Sequence, residues 1–106
     1  MIGINAFFGD KERPFTLTDP MLIELEAKTG AGIGVLFQRL MANQFHLGDL
    51  SEILRLGLIG GGTSPEEADR LVNAYAKDRP ISEILPLALD VITARWLGAD
   101  EVKADA

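Results

Sequence analysis

The apolar positions change their spacing near residue 18. Before it, Ile2, Ile4, Phe7, Phe8, Phe15, Thr16 and Leu17 are strand-prone residues, and Gly9-Asp10-Lys11-Glu12 between them is turn chemistry. The pattern predicts a short β-hairpin, residues 3–8 against 13–17, with Pro14 confining the second strand to an edge. After it, apolar residues recur at three and four, the period of a helix with one covered face.

Helix punctuation divides that second region. Thr18-Asp19-Pro20 opens a first helix, with Asp19 read as N-cap and Pro20 as first helical residue. Leu22, Leu25 and Thr29 form its inner face, and Gly30-Ala31-Gly32 ends it. A second helix over residues 33–45 carries Leu36, Phe37, Leu40 and Met41. Gly48 or Asp49 caps a third, where Asp49 and Glu52 have capping-box spacing, and its apolar residues are Leu50, Ile53, Leu54, Leu56, Leu58 and Ile59.

Gly60-Gly61-Gly62 stops the third helix, and Ser64-Pro65-Glu66-Glu67 starts a fourth, running to Lys77 through Ala68, Leu71, Val72 and Tyr75. Gly60, Gly61, Gly62 and Ser64 are therefore read as structural turn residues, with a positive φ expected at one glycine. Arg79-Pro80 opens a last helix to Leu97, burying Ile84, Leu85, Ala88, Val91 and Ile92; Pro86 inside it predicts a kink or a late start. The fold class is mainly α: a short N-terminal β-hairpin followed by a bundle of four to five helices. Residues 1–98 read as a single globular domain, with the hairpin in 1–18 and the bundle in 19–98. Residues 99–106 read as a disordered acidic tail.

Length and composition narrow the function classes. The 106 residues are 47% hydrophobic, enough for a packed core. The net charge of -6 comes with scattered basic residues, so neither nucleic acid nor an anionic membrane is an expected partner. No apolar run reaches the roughly 18 residues of a membrane helix, and residues 1–10 lack the basic start of a secretory signal. A cytoplasmic protein is expected.

Catalytic equipment is hard to find. Cysteine is absent, and His46 is the single histidine, so neither a thiolate nucleophile nor a Cys/His metal set can be assembled. Glu24 and Glu26 point in different directions on a helix, while Glu66 and Glu67 sit in a first turn where acids offset the dipole. Gly30-Ala31-Gly32-Ile33-Gly34 follows a helix rather than a strand, and Gly60-Gly61-Gly62 lacks a phosphate-binding lysine. No enzyme, no cofactor and no metal are expected. The chain reads as a binding protein. Phe7 and Phe8, adjacent in a strand, must point to opposite faces, so one is exposed. Met41, Phe45 and Trp96 are the other candidate partner-binding residues, on helices whose groove they would line.

The whole pattern resembles a known family. Asn5, Phe15-Thr16-Leu17-Thr18, Ile23-Glu24-Leu25-Glu26 and Thr29-Gly30 are similar to the start of the gene transfer agent tail proteins, grouped with the phage tail assembly chaperones. Asp49-Leu50, Ile53 and Leu56-Gly57-Leu58-Ile59-Gly60-Gly61-Gly62 resemble that family's central signature. Glu67-Ala68, Leu71-Val72, Arg79-Pro80-Ile81 and the ending Ala94 to Gly98 also fit, so the likeness covers residues 5–98. Where the family's hairpin carries Arg-Gly-Glu, this chain has Phe8-Gly9-Asp10 and a shorter hairpin. The resemblance implies a tail assembly chaperone that binds a helical tape measure protein and keeps it soluble; the alternative it implies is a structural tail tube component. The implied partners are the tape measure protein and the tail tube protein, with a homo-oligomer as a further option.

Overall fold

In the computed structural model, which describes residues 1–100, two strands precede five helices. The strands are β1 (Gly3–Phe8) and β2 (Lys11–Thr16), and the helices are α1 (Asp19–Thr29), α2 (Ile33–Met41), α3 (Leu47–Gly60), α4 (Pro65–Tyr75) and α5 (Ile81–Leu97). The mainly helical fold with an N-terminal hairpin is thus as expected.

The hairpin pairs Gly3 with Thr16 and Phe8 with Lys11, antiparallel, around a two-residue turn in which Gly9 has φ 77°. Such a turn is closed by a hydrogen-bonded pair, and bonded and non-bonded pairs then alternate. Asn5↔Pro14 falls on a non-bonded pair. The missing N–H of Pro14 therefore points away from β1, and the proline does not interrupt the strand. Arg13 pins the turn, its Nε donating to the Phe8 carbonyl at 3.1 Å and its guanidinium meeting the Asp10 carboxylate at 2.7 Å.

Ile4, Ala6, Phe8, Arg13 and Phe15 face inward, while Asn5, Phe7, Glu12 and Pro14 face solvent. Phe8, Phe15 and Leu17 join Leu50, Ile53, Leu54, Leu56 and Leu58 of α3 in the core, with Ile84, Ala88, Val91 and Ile92 of α5 and Leu71 and Val72 of α4. Helix α3 is the centre of the fold. It has seven buried residues spread around its axis, and α1, α4, α5 and β2 all pack on it.

Several boundaries moved for physical reasons. Thr18, not Asp19, is the N-cap of α1; Asp19 is free to bind Arg95 at 2.6 Å, tying the α1 start to the α5 end. Helix α2 stops at Met41 rather than residue 45, and Asn43, with φ 57°, turns the chain in the left-handed region that asparagine tolerates. The N-cap of α3 is His46, and Asp49 at the third position accepts the His46 N–H at 2.9 Å, so the box runs from 46 to 49 and not from 49 to 52. His46 is thus a helix-end residue. Ser64 caps α4 by accepting the Glu67 N–H. Helix α5 starts at Ile81, so the late start expected from Pro86 does not occur.

The glycine run does two jobs. Gly62, with φ 114°, supplies the positive φ expected of the turn. Gly60 and Gly61 serve close approach instead: a β-carbon at Gly60 would stand 1.8 Å from the Thr16 carbonyl oxygen, and one at Gly61 2.4 Å from that of Pro14. The outer edge of β2 lies directly against the end of α3. Beyond Gly98, Ala99 is buried and donates its N–H to the Met1 carbonyl at 2.9 Å. The folded part thus reaches further than residue 98, and residues 101–106 of the expected tail lie outside the described residues.

Candidate protein-binding surface

Six of the nine residues of α2 are apolar: Ile33, Val35, Leu36, Phe37, Leu40 and Met41. A helix of that length buries one stripe, and here the stripe is Leu36 and Leu40. The surplus has to go elsewhere. Phe37 finds the indole of Trp96 at the end of α5, stacked with centroids 4.9 Å apart and planes 24° from parallel. Gly34, Phe37, Gln38, Met41, Ala42 and Trp96 together line a shallow apolar hollow between α2 and α5. Gly34 lies beside the indole, and a β-carbon there would make ordinary van der Waals contact with it at 3.8 Å.

The candidate residues divide between positions. Met41 is 63% exposed and Trp96 49%, and both line this hollow. Phe45 is half-buried and packs against the core, away from the hollow's lining. Phe7 is 70% exposed, whereas Phe8 is 5% exposed, set edge-on to both Phe15 and Tyr75. One exposed aromatic of the two was expected, and it is Phe7; Phe8 is corrected to a core residue because its face of β1 is the one covered by the helices. Phe7 lines a second hollow with Tyr75, Arg79, Glu83 and Leu87, so it does not join Met41 and Trp96.

Reasoning from sequence missed Phe37 as a surface partner of Trp96, and missed Val35, Leu47, Ile81 and Leu97 as exposed apolar side chains. The signal was present in α2, where six apolar residues exceed what one stripe can hide. For Leu47 and Ile81 no such signal existed, because each stands at a helix start whose apolar contacts depend on where the neighbouring loop lies. These two residues line a third hollow with Lys77, Asp78 and Arg79.

Away from these hollows, charges pair locally. Arg55 bonds Glu52 at 2.6 Å and Glu24 at 3.1 Å, and these contacts, Glu52 foremost, raise its pKa further. Arg70 holds Glu67, lowering the carboxyl pKa by hydrogen bonding. Among the described residues no group of three or more His, Asp or Glu converges as a metal site would require. No helix among them is long and apolar enough to cross a membrane. What the surface offers is exposed apolar area in separate hollows, the kind of area that proteins cover with other proteins.

Comparison with known proteins bears on which proteins. The family described as phage tail tube protein, GTA-gp10, matches residues 2–98. No curated protein and no solved structure matches. The gene transfer agent resemblance therefore stands, but the chaperone reading is corrected, because the matched family is described as a tail tube protein, the alternative role. A subunit with two short strands is an unfamiliar unit for a tube. Repeating assembly, however, requires only two different surfaces that fit each other, and helices supply these as well as strands do.

Proposed function

The chain belongs to the phage tail tube protein family of the GTA-gp10 type, and from that membership we propose that it is a structural, non-catalytic component of the tail tube of a phage-like particle. The observation that carries the reading is the extent of the match, residues 2–98, which takes in the hairpin and all five helices. A match confined to one helix would say little about the role of the whole fold.

The geometry supports the reading in a second way. A tube is built from heterologous contacts, so its subunit must carry at least two unlike patches. Trp96 with Met41 lies at one end of α5, and Ile81 with Leu47 at the other. A helix of 17 residues is about 25 Å long, so the two patches are separated by most of its length. One is a flat aromatic hollow, and the other presents aliphatic side chains beside Lys77 and Arg79. The finer expectation of a tape measure contact fits a tube wall too, since the inner surface of a tube faces whatever fills it.

The test is the composition of finished particles. Quantitative mass spectrometry of purified tails should find this chain in many copies per particle. Its absence from particles whose other tail proteins are present would overturn the proposal.

A further inference from the structure

Sheet edges expose rows of unpaired N–H and C=O groups, and proteins normally cover them or guard them with charges and proline. The two edges of this hairpin are treated oppositely. The outer edge of β2 carries Lys11, Glu12, Arg13 and Pro14, and its Pro14 and Thr16 carbonyls lie against Gly61 and Gly60. Strand β1, Gly-Ile-Asn-Ala-Phe-Phe, contains neither charge nor proline. By the alternation of the ladder, Gly3, Asn5 and Phe7 direct their backbone groups outward. None of these groups is bonded to another described residue. At Met1, two residues before the strand, the outward carbonyl is already taken by the Ala99 N–H. Among the described residues, the open edge is thus a five-residue stretch, Gly3 to Phe7, with Asn5 at its centre.

We propose that this edge is a strand-pairing site whose occupant is β1 of a second copy of the chain, antiparallel and centred on Asn5. The register follows from the residues. A twofold axis at Asn5 sets Phe7 of each copy opposite Gly3 of the other, and both side chains lie on the solvent face. Gly3 offers no side chain there, so the exposed Phe7 ring covers bare backbone, as aromatic residues do across from strand glycines. The two Asn5 side chains meet at the axis as amide donors and acceptors. Strand β1 brings no charged side chain of its own to the contact, and the nearest charges are Glu12 and Asp100, which line a hollow with Gly3 and Asn5. The product is a four-stranded sheet, β2-β1-β1-β2. It closes on itself, so it makes a dimer and leaves the hollows at the ends of α5 for other contacts. The inference concerns self-association of the free chain and is independent of the tail reading.

The experiment is sedimentation and light scattering of the full chain over a concentration series, with amide hydrogen exchange at each concentration. The expected mass at high concentration is twice 11.5 kDa, with Gly3, Asn5 and Phe7 amides becoming protected as the dimer forms. Asn5→Pro removes one outward donor and no ladder bond, and Phe7→Lys places a charge at the edge. Each should shift the dimer to monomer, while Met41→Lys, on the other surface, should leave it intact. Should Asn5→Pro fail to fold, Phe7→Lys carries the test. A chain that stays monomeric throughout, or a dimer that Phe7→Lys leaves unchanged, overturns the proposal. Neither result alters whether the chain is found in particles.

Discussion

The carboxylate of Glu26, in α1, accepts the backbone N–H of Ile33, the first residue of α2, at 2.9 Å. The N-cap of α2 is Gly32, which has no side chain to offer, so the preceding helix provides the cap from seven residues away. The contact also brings a negative charge to a helix N-terminus, where the dipole favours it. Glu26→Ala is expected to cost about 1 kcal/mol, the usual worth of an N-cap. Glu26→Gln keeps the acceptor and should recover most of that loss. Urea denaturation of the three proteins checks the order.

Gly60 and Gly61 should be the least replaceable glycines of the chain. An alanine β-carbon at either meets backbone oxygen of β2, which cannot rotate away, so the hairpin has to lift from α3. Losses above about 2 kcal/mol are expected, within the range that overpacking costs. Gly48, at the second position of α3, faces open space. Gly48→Ala should therefore be neutral or stabilising by about 0.5 kcal/mol, the value of alanine over glycine at a compatible site. Thermal melts of the three variants decide it.

The contrast shows what was legible beforehand. Some local caps and stops, as at Ser64 with Glu67 or at Gly30 with its φ of 73°, were legible in the sequence, although the His46–Asp49 box and the turn at Asn43, equally local, were not. Where the partner came from elsewhere in the chain, sequence reading failed. Asp19 looked like a cap but is bound to Arg95, 76 residues away, and the cap of α2 comes from Glu26. The glycine run was identified as a turn, yet the carbonyls it accommodates, from Pro14 and Thr16, depend on tertiary packing of the hairpin. The surface followed the same rule: alternation in β1 required one exposed phenylalanine, whereas the stacking of Phe37 on Trp96 joins helices that no local pattern connects.

Acid should loosen the hairpin turn. The Arg13 hydrogen bond holds the Asp10 carboxyl below its ordinary value. A carboxyl lowered in the folded state contributes stability above its unfolded pKa, and that contribution is lost as pH falls through the folded one. Asp10 is exposed, so the effect is small and weakened by salt. Asp10→Asn should be less stable than wild type at neutral pH and low salt. The difference should vanish below the ordinary carboxylate range. Denaturation midpoints measured down the pH scale for both proteins test this.

The last prediction separates stability from assembly at the α2–α5 hollow. Trp96 contributes to both, because its ring stacks on Phe37 and also lines the hollow. Stacked aromatic pairs are worth about 0.5–1.5 kcal/mol beyond the area they bury, so Trp96→Ala should lower the melting temperature whatever the surface does. A loss of tail incorporation by that variant would therefore be ambiguous. Met41 is the better probe. It stands at the last turn of α2 with its side chain mostly in solvent, and it makes no contribution to the buried cluster. Met41→Glu should melt within about 0.5 kcal/mol of wild type, as exposed substitutions do. It places a charge in the middle of an apolar hollow that a neighbour in the tail would have to desolvate, a cost of several kcal/mol for an unpaired ion. In cells producing particles, the variant should accumulate as folded protein and be depleted from purified tails, with fewer complete tails formed. Incorporation of folded Met41→Glu at the wild-type level would show that the hollow faces solvent in the tail and that the contacts between subunits lie elsewhere.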